Sequence, residues 1–334
     1  MLSLWLALAC VVGHQASALP SVRSSGGADD NKTHNVQVVH QYPPGSWVEN
    51  LALRPNGKIL PVLVTSPVLN QVDPWTGSLT EIYDFSSYGN AMTGIVKLRD
   101  DIFVVDVSNG NLSDLANYGP WSSWTVHFRG HHDENATVTK IATYPRPVGL
   151  LNGMAALNPD LGLVIIADSF LGGVWLLDTE ANTTTVAFTD ESMMAVGANP
   201  IGINGIRYRN GTLWFINAAA ATLNRIAIDP VTGQKKGNAV VVARNLTGAD
   251  DFELDQREQN AYVAIGPANQ ILKVPTNGGA PSIFAEVPGP TSVRWGPMKA
   301  AHIAAELYVS ANGGALQYQT GNFTNGGSVD RTCV

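Results

Sequence analysis

Four polar residues stand at matching places along this chain and could form one site. They are Glu49, Asn152, Asn204 and Asp250, and each opens a strand-like apolar run. Two carboxylates and two carboxamides offer oxygen ligands, which suit a hard divalent cation such as Ca²⁺. If no cation held it ionised, a buried carboxyl group could instead donate a proton. An isolated Asn-Gly, however, is also a common turn dipeptide.

The elements that must position these residues are short strands. Apolar runs such as 163–167, 173–178 and 213–217 alternate with turn signals rich in Gly, Pro, Asn and Asp. Runs of this length bounded by such turns are typical of an all-β fold.

The strands are organised in six repeats. The units begin near Glu49, Thr93, Asn152, Asn204, Asp250 and Thr291. Spacings of about 40 to 60 residues with about four strands per unit predict a six-bladed β-propeller, in preference to a β-helix or two sandwiches. The early strand 36–42 is predicted to join the last blade and close the ring. Because inner strands of a propeller start at one end of the channel, the six starting residues should meet there.

The chain is predicted to have three parts. Residues 1–18 contain a short apolar run followed by Ala16-Ser17-Ala18, which is typical of a cleaved signal peptide, although a buried N-terminal strand is the alternative. Residues 19–35 are predicted to be a flexible segment, and residues 36–334 to form the propeller. The expected location is therefore outside the cell or in the lumen of the secretory pathway.

Glycosylation and charge agree with that location. Seven Asn-x-Ser/Thr sequons are candidate glycosylation sites: Asn31, Asn111, Asn135, Asn182, Asn210, Asn245 and Asn322. A net charge of -7 with no basic cluster argues against nucleic acid as a partner. No second apolar segment is long enough to span a membrane. Removal of Cys10 with the signal peptide would leave Cys333 as a free thiol. The sequence predicts no oligomeric state.

The four polar residues and their neighbours resemble a known family. Val48-Glu49-Asn50, Leu151-Asn152-Gly153, Ile203-Asn204-Gly205 and Ala249-Asp250-Asp251 are similar to the metal-binding stretches of regucalcin–gluconolactonase propellers. The resemblance implies a divalent cation, often calcium, held by Glu49, Asn152, Asn204 and Asp250, with the later aspartate also acting as the catalytic base on lactones. Asp251 departs from the family, in which glycine follows the aspartate. Whether Asp250 or Asp251 faces the channel is therefore open.

The expected substrate is apolar. The sugar-lactone enzymes of this family carry arginine where this chain has Leu150, and proline where it has Ile203. An apolar wall disfavours a polyhydroxylated sugar, because each hydroxyl that loses water without gaining a partner costs roughly 1–3 kcal/mol. Trp47 and Trp295 are the expected aromatic contacts, and Thr93 and Thr291 are expected to add hydroxyls.

A smaller branch of the superfamily fits these features. The chain resembles glycosylated fungal propellers with signal peptides, among them hetero-Diels–Alderases of tropolone–sesquiterpenoid biosynthesis. That resemblance implies loss of water from a hydroxymethyl tropolone to give a quinone methide, which then adds to a humulene-type alkene without a required cofactor. Glu49, Asp250 and Asp251 are the candidate catalytic groups. The alternatives are a metal-dependent lactonase and a secreted propeller that binds a partner without catalysis.

Overall fold

Six antiparallel sheets of four strands each make up the described part of the chain. The computed structural model describes residues 33–110, 118–131, 134–296, 305–314 and 323–334. Within those ranges the chain forms 24 strands, β1 to β24, and three single-turn 3-10 helices. The 3-10 helices are Pro159–Leu161, Glu191–Met193 and Gly266–Ala268.

The first three blades each use four consecutive strands, which follow one another from the channel outward. Blade 1 contains β2 (Val48–Leu53), β3 (Ile59–Leu63), β4 (Val68–Val72) and β5 (Leu79–Asp84). Blade 2 contains β6 (Ala91–Arg99), β7 (Ile102–Ser108), β8 (Trp121–Phe128) and β9 (Ala136–Thr143). Blade 3 contains β10 (Leu151–Asn158), β11 (Leu163–Asp168), β12 (Gly173–Asp178) and β13 (Thr183–Thr189).

The last three blades repeat this order, except that the sixth takes its outer strand from the start of the chain. Blade 4 contains β14 (Ile203–Arg209), β15 (Thr212–Asn217), β16 (Thr222–Ala227) and β17 (Val240–Ala243). Blade 5 contains β18 (Ala249–Leu254), β19 (Asn260–Ile265), β20 (Gln270–Pro275) and β21 (Ser282–Glu286). Blade 6 contains β22 (Pro290–Trp295), β23 (Glu306–Ala311), β24 (Gly326–Cys333) and β1 (Val36–Pro44).

The ring closes through β1, as predicted. This strand pairs antiparallel with β24, with Val36 opposite Thr332 and Gln41 opposite Ser328. The six-bladed propeller is therefore confirmed, and the β-helix and the pair of sandwiches are excluded. His34, in the segment predicted to be flexible, stacks on Phe284 at 4.2 Å and bridges to Ala285. The end of that segment is thus fixed against blade 5.

The core lies between neighbouring sheets. Every residue of β11 is buried, and the tryptophans Trp121, Trp175 and Trp214 are nearly inaccessible to solvent. Each large apolar side chain buried in this way contributes about 1.5–3 kcal/mol. This packing holds the inner strands rigidly around the channel.

The described residues include one of the two cysteines of the sequence, Cys333. Cys333 is disulfide-bonded in the whole chain, whereas the free thiol is predicted for a chain from which Cys10 has been removed, so it stays a prediction. Cys10, the other cysteine of the sequence, and the whole predicted signal peptide lie outside the described residues.

Across the described ranges, no helix has the length and apolarity needed to cross a membrane.

Four of the seven sequons lie in described residues. Asn135, Asn182, Asn210 and Asn245 are all exposed. Asn182, Asn210 and Asn245 also have a left-handed backbone with φ between 49 and 62°, which is typical of tight turns. Asn31, Asn111 and Asn322 lie outside the described residues.

Candidate active site at the channel mouth

A register shift occurs at the same place in each inner strand. In β10, Leu151 lies opposite Asp168 and Met154 opposite Ile166, so β10 has one extra residue. Comparable shifts occur in β2, β6, β14, β18 and β22. Such bulges reorient side chains and are common beside active sites. In this chain they fall at the six residues that begin the repeats.

The glycine of each Asn-Gly is explained by close packing of neighbouring inner strands. A Cβ atom on Gly153 would lie 2.6 Å from the Asn204 backbone oxygen. A Cβ atom on Gly205 would lie 2.0 Å from Oδ1 of Asp251. Asn-Gly is therefore more than a turn signal, because the asparagine begins the bulge and the glycine lets the next blade approach.

The upper cavity is the space at the start of the inner strands, with a volume of about 280 Å³. Its wall includes all four residues of the predicted metal-binding quartet: Glu49, Asn152, Asn204 and Asp250. Trp47, Thr93 and Leu150 also line it. Glu49 and Asp250, which are 201 positions apart in sequence, thus meet in one cavity.

Glu49 is fixed by a tryptophan. Nε1 of Trp47 donates a hydrogen bond to Oε2 of Glu49 at 2.5 Å. Glu49 is half-buried and lines the upper cavity. Burial raises the pKa of Glu49 from 4.5 to about 7, and the negative charge of Asp251 adds to this effect, whereas the Trp47 hydrogen bond opposes it. Glu49 can therefore carry a proton near neutral pH.

Asp250 has a similar environment. Nδ2 of Asn204 donates to Oδ1 of Asp250 at 2.8 Å. Burial raises the pKa of Asp250 well above its usual range, and repulsion from Glu49 and Asp251 raises it further. Two nearby carboxyl groups that disfavour double ionisation tend to share one proton. Such a pair offers one acid and one base in the same cavity.

Asp250, rather than Asp251, faces the upper cavity. Asp251 is buried in the channel below it, where it accepts hydrogen bonds from Arg207 at 3.0 and 3.2 Å and from Arg294 at 3.0 Å. Ser292 Oγ donates to it at 2.8 Å. Asp251 is therefore an ion-paired residue of the channel interior. It does not line the upper cavity, where its predicted catalytic role would require it.

Two other predicted substrate contacts also lie away from this cavity. Thr291 is buried, and its hydroxyl donates to the Val48 backbone oxygen at 2.7 Å, which joins the last blade to the first. Trp295 ends β22 and lines a different cavity at the opposite end of the channel. A sequence position near a strand start could not show which end of the strand the Trp295 side chain occupies.

The structure adds wall residues that sequence reasoning missed. Tyr118, Asn199 and Ile201 line the upper cavity, although none of them begins an inner strand. Burial and the negative charge of Glu49 raise the pKa of Tyr118 to about 12. Its phenol therefore stays protonated and can donate a hydrogen bond in the same cavity. The only sequence signal was that these loops flank strand starts.

The oxygen atoms of the cavity suit a divalent cation. Oδ1 of Asn204 is buried and has no hydrogen-bond partner, while Nδ2 of the same amide is used by Asp250. Glu49 and Asp250 would balance the charge of a cation, and Asn152 could add an amide oxygen. A bound cation would also hold both carboxyl groups ionised, so the cation and the shared proton are competing states.

Two sequence relatives carry the same name. A protein from Phoma sp is 28% identical over 313 residues, covering 83% of this chain and 86% of its own, and is called "Putative hetero-Diels-Alderase". A protein from Sarocladium schorii with that name is 27% identical over 332 residues, covering 86% of this chain and 81% of its own. No family model matches the chain.

Solved structures confirm the type of propeller. Regucalcin from Agrobacterium tumefaciens superposes with a TM-score of 0.63 and 17% identity, covering 90% of this chain and 95% of its own. A luciferin-regenerating enzyme gives a TM-score of 0.63 with 16% identity and the same coverage. At this identity the structural match establishes the fold alone. The resemblance inferred from sequence is confirmed for proteins named as putative hetero-Diels–Alderases, and for regucalcin it is confirmed at the level of the fold.

Proposed function

We propose that this protein is a pericyclase of hetero-Diels–Alderase type that acts in fungal secondary metabolism. Its proposed substrates are a hydroxymethyl tropolone and a humulene-type sesquiterpene alkene. The observation that carries the proposal is that two carboxyl groups with raised pKa values, those of Glu49 and Asp250, line one partly apolar cavity. The names of the two sequence relatives support the same reaction class.

The carboxyl pair suits the dehydration step. A protonated Glu49 or Asp250 gives its proton to the leaving hydroxyl group, the carbon–oxygen bond breaks, and water departs. The ionised partner accepts the proton of the tropolone hydroxyl, which leaves a neutral quinone methide. The pair holds one proton before and after the step, so no further acid or base is consumed.

The apolar part of the wall suits the cycloaddition. Leu150, Ile201 and Pro267 line the cavity beside the carboxyl groups. The cycloaddition itself moves no proton, so the protein needs only to orient the two reactants and to exclude water. Trp47 is the aromatic wall residue nearest in sequence to Glu49, and it fixes that carboxyl group.

A metal-dependent lactonase is the second candidate, favoured by the unpartnered Oδ1 of Asn204. Glu49, Asn152, Asn204 and Asp250 would hold the cation. A bound cation would polarise the carbonyl group of the lactone. Leu150 in the wall offers a sugar lactone no hydrogen bond from its side chain, which is why we place this activity second.

We further propose that the protein is secreted or resides in the secretory pathway. Four exposed sequon asparagines, three of them in left-handed turns, support this location. Treatment of the protein from its native host with an endoglycosidase should lower its mass. An unchanged mass, together with an intact N-terminus, would contradict the proposal.

The reaction itself tests the proposed function. Purified protein is incubated with a hydroxymethyl tropolone and a humulenol-type alkene, and products are separated by chiral chromatography. We expect faster formation of one predominant stereoisomer. A racemic product at the uncatalysed rate would overturn the proposal, and lactone hydrolysis would favour the second candidate. Capture of a protein or glycan without any turnover would favour a binding propeller.

A further inference from the structure

A second cavity opens at the opposite end of the channel. We call it the lower cavity; its volume is about 420 Å³, against about 280 Å³ for the upper one. Arg54 follows β2, Arg209 ends β14 and Trp295 ends β22, so this cavity lies where the inner strands finish. Among the described residues, no wall residue is shared with the upper cavity.

The charge of the lower cavity is opposite to that of the whole chain. Its wall contains five cationic side chains: Arg54, Lys97, Arg207, Arg209 and Arg294. Glu253 is the one acidic side chain in the described wall. Counting the ion-pair partners Asp100, Asp101 and Asp251 as well, five cations face four carboxylates, in a chain of net charge -7. A surplus of positive charge in a cavity attracts anions.

The arginines form a fixed floor. Arg207 contacts Asp251 at 3.0 Å and Glu253 at 3.2 Å, while Arg209 contacts Glu253 at 2.9 Å. Glu253 is therefore shared between two guanidinium groups, and Asp251 is shared between Arg207 and Arg294. Because each of these carboxylates serves two cations, the ion pairs neutralise only part of the positive charge.

Lys97 is the cation most available to a ligand. Its side chain is 44% exposed, and its described ion pair is a 3.4 Å contact with the exposed Asp100. Such a surface pair contributes only about 0–1 kcal/mol. The ammonium group can therefore leave Asp100 for an anion in the cavity at little cost.

One wall of the lower cavity is aromatic and rigid. Trp295 Nε1 donates to the Leu254 backbone oxygen at 2.7 Å, and its ring meets that of Tyr262 edge to face at 5.3 Å. These two contacts fix the plane of the indole, which is only partly buried. Ala156 and Val96 continue the apolar surface. A flat apolar ligand can therefore pack here while its charged group meets the cations.

We propose that the lower cavity is a second ligand site, which binds a small aromatic anion such as an aromatic carboxylate. The ring packs against Trp295, and the carboxylate pairs with Lys97 above the arginine floor. The proposal is independent of the reaction in the upper cavity, because it depends on different residues.

Binding of 1-naphthoate to the full protein, measured by calorimetry at low salt, tests this site. We expect saturable binding that weakens as salt is added. Neutral 1-naphthamide should bind about tenfold more weakly or not at all. Absence of saturable naphthoate binding, or equal binding of the amide, would overturn the proposal.

Matched variants locate the bound anion. Lys97→Glu should weaken naphthoate binding about tenfold, because it replaces an attraction with a repulsion. Lys140→Glu makes the same charge change at an exposed residue outside both cavities and should leave binding unchanged. Equal weakening by both variants would show a general charge effect and contradict the site. Loss of binding in Asn204→Ala would place the anion in the upper cavity and contradict it as well.

Discussion

Asn204 joins two blades and also presents a free oxygen to the upper cavity. Its Nδ2 donates to Oδ1 of Asp250 at 2.8 Å, while its own Oδ1 is buried without a hydrogen-bond partner. A buried polar atom without a partner costs about 1–3 kcal/mol. An unsatisfied oxygen beside two carboxyl groups therefore indicates a position that a ligand, a cation or a substrate hydroxyl completes.

Removal of the Asn204 amide should reduce turnover far more than stability. Asn204→Ala is expected to lower kcat/KM by roughly 10²-fold, which is typical for loss of one positioned polar group in an active site. The free energy of unfolding should change by about 1 kcal/mol. Asn238→Ala, at an exposed loop residue outside both cavities, is the control and should change neither. Wild-type turnover by Asn204→Ala would mean that this Asn-Gly serves only the backbone.

The glycine after Asn204 should be intolerant of a methyl group. Gly205→Ala places a Cβ atom against Asp251, so we expect a loss of about 1–3 kcal/mol or more in the free energy of unfolding. Gly237→Ala is the control, because a Cβ atom there meets nothing within 4 Å and the residue is exposed. Urea denaturation of both variants measures the difference. Equal stabilities would contradict the close approach of β14 and β18.

Glu49 should make stability fall as pH rises. Its pKa is about 7 in the folded protein against 4.5 when unperturbed, so between these values the folded state binds more protons than the unfolded state. Stability should therefore decline from about pH 4.5 to 7 and then level off. Glu49→Gln should lose this decline and gain about 1–3 kcal/mol relative to wild type between pH 5 and 8. Denaturation of the wild type and of Glu49→Gln at pH 5 and at pH 8, with a chelator present, measures the change in the free energy of unfolding. Parallel pH profiles of the two proteins would contradict the raised pKa of Glu49.

Chelation should separate the two candidate reactions. A cycloaddition that depends on orientation and a shared proton is expected to survive treatment with EDTA, whereas lactone hydrolysis should be lost. Elemental analysis of the same samples reports whether a divalent metal was present and removed. Cycloaddition that disappears with the metal and returns with added Ca²⁺ would contradict the shared-proton mechanism.

The blade count and the meeting of the four polar residues could be predicted from sequence because both follow from periodicity. Each unit repeats a strand–turn–strand pattern, and the first residue of an inner strand has a fixed place relative to the channel. The strand at 36–42 was recognisable for the same reason, since it precedes the first unit and can supply the outer strand of the last blade.

The features that sequence reasoning left open or missed are ones that periodicity does not encode. One inserted residue in β18 determines that Asp250 faces the cavity and Asp251 the channel interior, and two adjacent aspartates give no sign of it. Trp295 lies at the far end of a short strand, so nearness in sequence to Thr291 was misleading. Tyr118 and Ile201 reach the cavity from loops, whose paths depend on tertiary contacts.

A crystal structure with a bound tropolone that lacks the hydroxymethyl group tests the central claim most directly. Such a compound cannot lose water, so it should remain intact in the protein. We predict that its ring lies in the upper cavity, with its oxygens within hydrogen-bond distance of Glu49 or Asp250. Electron density for the ring outside that cavity, with the carboxyl pair left in contact with solvent alone, would contradict the account.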